Sequence, residues 1–372
     1  AAAPWEPVVS EASAVVLATG GGGQIFRETT NPQSATGDGV AIALRAGARI
    51  HDLEFVQFHP TILYLAGAAR FLISEVTRGA GGKLRDRAGH AFMSEAHPDA
   101  ELAPRDVVSR AIFRRIIESG DTHVFLDLTP VAGAAARFPA LARICEEFGI
   151  DLALRPIPVR PAVHYFVGGI AVDLDGRSSL PGLWAVGECA SNGFHGANRM
   201  GSNSLLEGIV QGRRAGQIIT AQLRTRTRRW LIPSASAARP PLRGAELNLL
   251  DMTYSLKSLM WRQVGIERNA AGLTDAIERL DAWEGYLARL GPFTPEGIEV
   301  ANMVQVAQVI ARSAAFRTES RGAHFRTDQS TSRAEWAVHT SATRTAEGVR
   351  FERRPLAANA GVAALSPSNP AE

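Results

Sequence analysis

Residues 182–216 constrain this chain more than any other stretch, reading GLWAVGECASNGFHGANRMGSNSLLEGIVQGRRAG. Leu183, Trp184, Ala185 and Val186 predict a short buried strand that breaks at Gly187. Glu188 sits at the strand's C-terminal end, the edge where open α/β sheets bind ligands. A loop of small and amide residues covers 191–203 and exposes His195, Asn198 and Arg199. Ser204-Leu205-Leu206-Glu207 then opens a helix in the pattern of a capping box, a hydroxyl with an acid three residues on. A helix start offers free N–H groups and a positive dipole end. A loop this polar, between an apolar strand and an apolar helix, points to a bound anionic ligand.

A second unit of the same kind lies near the start. Residues 14–18 read as a buried parallel strand that runs into Thr19 and glycines 20–23. Gly37-Asp38-Gly39 leads into a helix over 40–46. Between the two units the texture changes. Residues 51–163 hold a strand-like stretch at 71–75. A helix starts at Pro104 and runs through Val108, Ala111, Ile112 and Ile116, with Arg114 and Glu118 spaced to pair. An extended, proline-punctuated segment at 156–167 ends this insert and carries His164-Tyr165. Residues 222–245, rich in Arg, Pro, Ser and Ala, read as a linker. Over 246–318 apolar residues recur at helical spacing, as at Met252 and Leu256, Ile277 and Leu280, and Val300, Met303, Val304 and Ala307. Three helices there predict a small bundle. From Arg326 onward no period is visible, which predicts a partly disordered tail.

Composition narrows the function class. The formal charge of +3 is too small for a nucleic-acid footprint. No apolar run is long enough for a membrane span. Cys145 and Cys189, the two cysteines, make neither a disulfide framework nor metal-ligand spacing, so no metal is expected and a reducing, cytoplasmic setting fits.

The polar residues that remain suggest a ligand. His59, Ser74, Arg78, Arg105, His164 and Arg199 together offer three guanidiniums, two imidazoles and a hydroxyl. Arginine grips carboxylates bidentately and histidine adds a directed donor, a set suited to a small dicarboxylate. Arg105 is the most telling of them. A cation in the first turn of a helix opposes the dipole, so an anion should lie beside it.

The order of motifs resembles one family: the flavoproteins of succinate dehydrogenase, fumarate reductase and L-aspartate oxidase, with the L-aspartate oxidase branch nearest. The resemblance covers roughly residues 14–326, by the count of its motifs. It rests on ATGG at 18–21, GDG at 37–39, EFVQFHPT at 54–61, RG at 78–79 and PRD at 104–106. It continues with HY at 164–165, GG at 168–169, VGE at 186–188 and HGANRMGSNSLLE at 195–207. MW..VGI at 260–266 and ESRG.HF at 319–325 complete the series.

The resemblance implies an α/β FAD-binding, Rossmann-like domain (1–52 and 164–221, partial) with an inserted α+β capping domain (53–163). A linker (222–245), a C-terminal three-helix bundle (246–325) and a tail (326–372) would follow. It implies non-covalent FAD held by Thr19, Gly20, Asp38, Glu188, Ser202, Asn203, Ser204 and Leu205. His59, Ser74, Arg78, His164 and Arg199 would bind substrate, and Arg105 would move the proton. The implied reaction oxidises L-aspartate to iminoaspartate with oxygen or fumarate as acceptor, the first step towards quinolinate and NAD. Quinolinate synthase would be a pathway partner. The alternatives are a succinate dehydrogenase or fumarate reductase flavoprotein subunit, or an inactive fragment.

The family opens with a strand and a G-x-G-x-x-G loop for the ADP part of FAD, and nothing like it precedes Val15. The expectation is a chain without its family's first third, with a hydrophobic strand edge and face uncovered. Residues 1–372 expressed alone should therefore bind little FAD and release no peroxide from L-aspartate. Stoichiometric flavin absorbance with turnover, after addition of excess FAD, would contradict this.

Overall fold

The computed structural model describes residues 10–223, 247–290 and 294–356. The expected linker lies almost wholly outside them. In the first half, β1 (Val15–Leu17), α1 (Asp38–Arg45) and β2 (Ile50–His51) lead into β3 (Val56–Leu63). The insert continues with α2 (Val76–Gly79), β4 (Lys83–Arg85), α3 (Met93–Ala96), α4 (Arg105–Ser119) and β5 (Val124–Asp127). It ends with α5 (Ala134–Arg137), α6 (Pro139–Glu147) and β6 (Ile157–Phe166). Then come β7 (Gly169–Ala171), β8 (Leu183–Ala185), β9 (Ala190–Ser191) and α7 (Asn203–Leu223). The last third holds α8 (Leu249–Gln263), α9 (Ala270–Leu290), α10 (Pro295–Phe316), β10 (Val338–Thr345) and β11 (Gly348–Pro355).

Three sheets organise these elements. The two strand–glycine units meet: β1 pairs in parallel with β8, Val16 opposite Trp184. The insert forms its own antiparallel sheet in the order β3-β6-β5-β4. Its core of Leu84, Val108, Ile112, Leu126 and Val159 is separate from the main one. A mixed five-stranded sheet, β11-β10-β2-β7-β9, joins the last hairpin to the first half. The main core runs from α1 through that sheet into α8, α9 and α10.

Local chemistry explains the helix ends. The Thr294 hydroxyl accepts from Gly297 N at 3.1 Å with Pro295 next to it, and the Asn248 side chain caps α8 in the same way. Gly120, at φ 66°, ends α4 in the left-handed conformation that glycine adopts without strain. Helix α10 is buried along most of its length, so its amides need partners. Asn302 donates to Asp38, Gln305 accepts from Arg45, and Gln308 donates to Asp281 and Glu284.

Several expectations change. Val15 and Val16 are about half exposed, because β1 has a strand neighbour on one side only among the described residues. The stretch 71–75 makes a single bridge, Leu72 to Ile62, and no strand. Arg114 pairs with Glu267 at 2.5 Å, not with Glu118, which sits 3.6 Å from Arg115. The tail is ordered over 338–355 as the β10–β11 hairpin, since β10 finds the edge of β2. Among the described residues, no helix is long and apolar enough to cross a membrane, and no cluster of metal-ligating residues occurs.

One fully buried cation holds these parts together. Arg317 donates to Glu54 at 2.6 Å, to Glu319 at 3.0 Å, to the carbonyls of Trp336 and Val338, and to Thr340. Removing one partner of a buried ion pair leaves an uncompensated charge. Arg317→Ala should cost about 3–5 kcal/mol, read as a lower denaturant midpoint. Arg317→Lys should recover part of it. An unchanged midpoint for the alanine variant would refute this role.

Candidate active site

Two strands, two helices and a loop converge on one cationic cluster. Strand β3 supplies Gln57 and His59, both inaccessible to solvent. Strand β6 supplies His164, whose ring lies 5.4 Å from that of His59, edge to face. Helix α2 brings Arg78, and the first residue of α4 is Arg105. The loop before α7 brings Arg199. A Cβ at Gly201 beside it would lie 2.7 Å from Arg105 Nη2, so the guanidinium would have to shift to admit one.

The cluster carries more donors than acceptors. Arg105 Nε donates to Glu75 Oε1, and Nη1 donates to Gln57 Oε1 at 3.1 Å. Glu75 is thus the anion that offsets a cation in the first turn of α4. The same carboxylate oxygen lies 3.8 Å from Arg78 Nη2. Gln57 Nε2 donates to the Arg199 carbonyl at 2.6 Å and to Asn198 Oδ1 at 2.9 Å. Asn198 Nδ2 in turn donates to Asp106, which pairs with Arg110. Three donors remain buried with no partner: Arg199 Nη1, Arg78 Nε and His59 Nε2. Thr61 N donates to His59 Nδ1, so in the neutral ring the proton sits on Nε2. That N–H lies buried in a positive site and lacks only an acceptor.

Burial and neighbouring guanidiniums keep both imidazoles uncharged. Burial lowers His164 to about 4, helped by Arg105 and Arg199. Burial and then Arg105, His164, Arg78 and Arg199 hold His59 well below its ordinary value. Ser74 is exposed just before α2, and its hydroxyl accepts from Val76 N.

A second set of residues lines the turn between the two strand–glycine units. Glu188 accepts from Phe166 N at 2.9 Å, and burial pushes its carboxyl up to about 7. A Cβ at Gly21 would fall 2.2 Å from Glu188 Oε1, so the Glu188 carboxylate would have to shift to admit one. Gly20 has φ 72°, and Thr19 packs so close to Gly39 that a Cβ there would lie 2.1 Å from Thr19 Oγ1. Asp38 is occupied by Thr36 and Asn302, which tie α1 to α10. Ser202 takes φ 68° just before Asn203 starts α7. Leu205, in the first turn, is 81% exposed, with Leu206, Ile209 and Val210 also open.

The expected capping box is not formed. Glu207 bonds to His195 at 2.8 Å, and Ser204 accepts from Arg199 Nε at 2.5 Å. Tertiary partners outcompete the local ones. The residues fit the ring end of a flavin, as the resemblance implies: an exposed apolar helix start, with its dipole, beside glycines that admit close approach. Glu75 and Gln57 escaped the sequence reading, which took Asn198 as a loop residue and Glu207 as part of a helix cap. An acid three residues before Arg78, and a glutamine two before His59 on a strand, were the available signals.

Comparison with known proteins follows the same lines. A family profile described as FAD binding domain matches residues 2–205, and one described as fumarate reductase flavoprotein C-term matches 253–368. An L-aspartate oxidase from Nostoc is 45% identical over 88% of this chain and 62% of its own length. One from Synechocystis is 43% identical over 92% of this chain and 66% of its own. The chain thus spans less than two thirds of these relatives. Among solved structures, a point variant of the E. coli quinol fumarate reductase subunit FrdA aligns with a TM-score of 0.81 at 32% identity, over 96% of this chain and 67% of that one. Mycobacterium smegmatis Sdh1 aligns at 0.78 with 33% identity, over 93% and 62%.

The neutral imidazoles predict a pH dependence. A bound dicarboxylate favours the charged ring, so it raises the pKa of His164 from about 4 and draws in a proton. Succinate should therefore bind more tightly as pH falls from about 7 towards about 5, with proton uptake visible by calorimetry in buffers of different ionisation enthalpy. His164→Asn should flatten the profile. Proton release on binding would show the opposite sign and refute it.

Proposed function

The chain belongs to the FAD-binding flavoprotein family of fumarate reductases, succinate dehydrogenases and L-aspartate oxidases, and from that premise we propose that it oxidises L-aspartate to iminoaspartate. The observation that supports this reading best is the set of buried, partnerless donors on Arg199, Arg78 and His59 in a site with three guanidiniums and one paired acid. Such a site takes a small dicarboxylate. The aspartate oxidase relatives favour L-aspartate over succinate.

FAD, when bound, supplies a two-electron hydride acceptor. Arg199, His59 and Arg78 hold the two substrate carboxylates through their vacant N–H groups, and His164 closes the same wall. The ammonium group loses one proton as the Cα hydride departs. Arg105 takes that proton at its outer guanidinium nitrogen while its Nε proton passes to Glu75 Oε1, so the arginine stays cationic. Glu75 is partly exposed, which gives the proton a way to solvent. Oxygen or fumarate then accepts the electrons. The imine is unstable in water, so quinolinate synthase in the same cytoplasm is the pathway partner we expect.

The whole protein, loaded with flavin, should release peroxide with L-aspartate and not with succinate, in contrast to residues 1–372 alone. Arg105→Leu should cut kcat/KM more than about tenfold with flavin still bound, since it leaves Glu75 without its cation. Turnover of succinate alone, or wild-type turnover in that variant, would overturn the assignment.

A further inference from the structure

Arg199 is unusual among the guanidiniums of the site. It makes no ion pair within 4.0 Å among the described residues, and Nη1 has no partner. What fixes its plane is instead aromatic. Its guanidinium carbon lies 4.6 Å above the Tyr165 ring centroid, and its Nε donates to Ser204. A cation over an aromatic face is attracted by the ring quadrupole, more so when water is excluded, and Tyr165 is buried.

Tyr165 is itself held from three sides. Phe55 and Val167 pack its base, with Ala197 against them. The His195 ring meets it edge to face at 5.2 Å and 85°. His195 Nε2 lies 3.2 Å from Tyr165 Oη and 2.8 Å from Glu207 Oε2. A carboxylate only accepts, so Nε2 carries the proton and is shared between the two oxygens. The side chains of His195 and Glu207 are 6% and 7% exposed, as expected for a built pair rather than a surface contact. Burial also raises the Tyr165 hydroxyl well above its ordinary value, so the ring stays neutral.

We propose that Tyr165, braced by His195 and Glu207, is a positioning residue that aims Arg199 at the substrate carboxylate. The proposal rests on the reading of Arg199 as a carboxylate ligand. It assigns work to His195, which projects from the central loop and touches none of the site's cations directly.

The test is a double-mutant cycle on the whole, flavin-loaded protein, with succinate as the calorimetric probe and flavin content as the folding control. Arg199→Ala should abolish or strongly weaken binding. Tyr165→Leu should weaken it about tenfold, and Tyr165→Phe, which keeps the ring, should stay within about twofold. In the Arg199→Ala background Tyr165→Leu should have no further effect, because the ring acts only through the guanidinium. If Tyr165→Leu does not fold, His195→Gln, which leaves the ring in its core, should weaken binding about threefold. Undiminished binding in Arg199→Ala would sink the carboxylate assignment. Loss of binding in Arg199→Ala with none in Tyr165→Leu, or equal losses in both backgrounds, would sink the positioning role alone.

Discussion

The buried contact between Arg317 and Glu54 is the constraint on which the rest of the molecule leans. A guanidinium with no solvent exposure is stable only when its donors are filled, and here two carboxylates, two carbonyls and a hydroxyl fill them. Those partners come from segments far apart in the chain. Glu54 closely precedes β3, while Glu319 and the run 336–340 follow α10. A second buried arginine, Arg268, donates to the Glu54 carbonyl and to His324, and His324 bonds back to the Arg317 carbonyl. The start of β3 is therefore held from the helical bundle. Gln57 and His59 are carried on that strand, so the rigidity of the bundle is passed to the site.

The site shows the other consequence of burial. Low dielectric strengthens each charge–charge term and makes an unfilled donor costly. Burial first, and then the guanidiniums set against Glu75, lower the pKa of both imidazoles. The donors left over are those that an incoming anion would satisfy. The loop that delivers Arg199 is clamped by the C-terminal segment: Ala323 N donates to the Ala197 carbonyl, and Gly322, at φ 52°, leaves no room for a side chain there. Asn198 bonds to Asp106 on α4 and accepts from Gln57 on β3, so the insert and the loop close on each other through side-chain amides. Pieces with separate cores thus meet through polar contacts.

Local signals carried much of this. The strand–glycine units at 14–23 and 182–188 could be read because strand and breaker are adjacent in sequence, and β1 does pair with β8. The three long helices were legible from periodicity alone, and they form as α8, α9 and α10. His59, Arg78, Arg105, His164 and Arg199 could be picked out because their residue types suit one ligand. Ser74 fits that chemistry equally well by type, yet it is exposed and its hydroxyl accepts from Val76 N. Nothing in residue type says where a side chain points.

What the sequence determined by itself was therefore whatever depends on neighbours a few residues apart: the breakers, the helical stripes, the order of the motifs and the excess of arginine over acid near them. Tertiary structure alone decided the pairings. The acid at 207 bonds to His195 and not to the backbone N–H at Ser204 that a capping box would offer it, since a buried imidazole is the stronger contact. Glu75 became the counter-charge of Arg105 across thirty residues. The segment after Arg326 became a strand pair, because its edge partner, β2, lies almost three hundred residues earlier. Each of these contacts is worth making only once the fold has removed water from both partners, and no window of sequence records that removal.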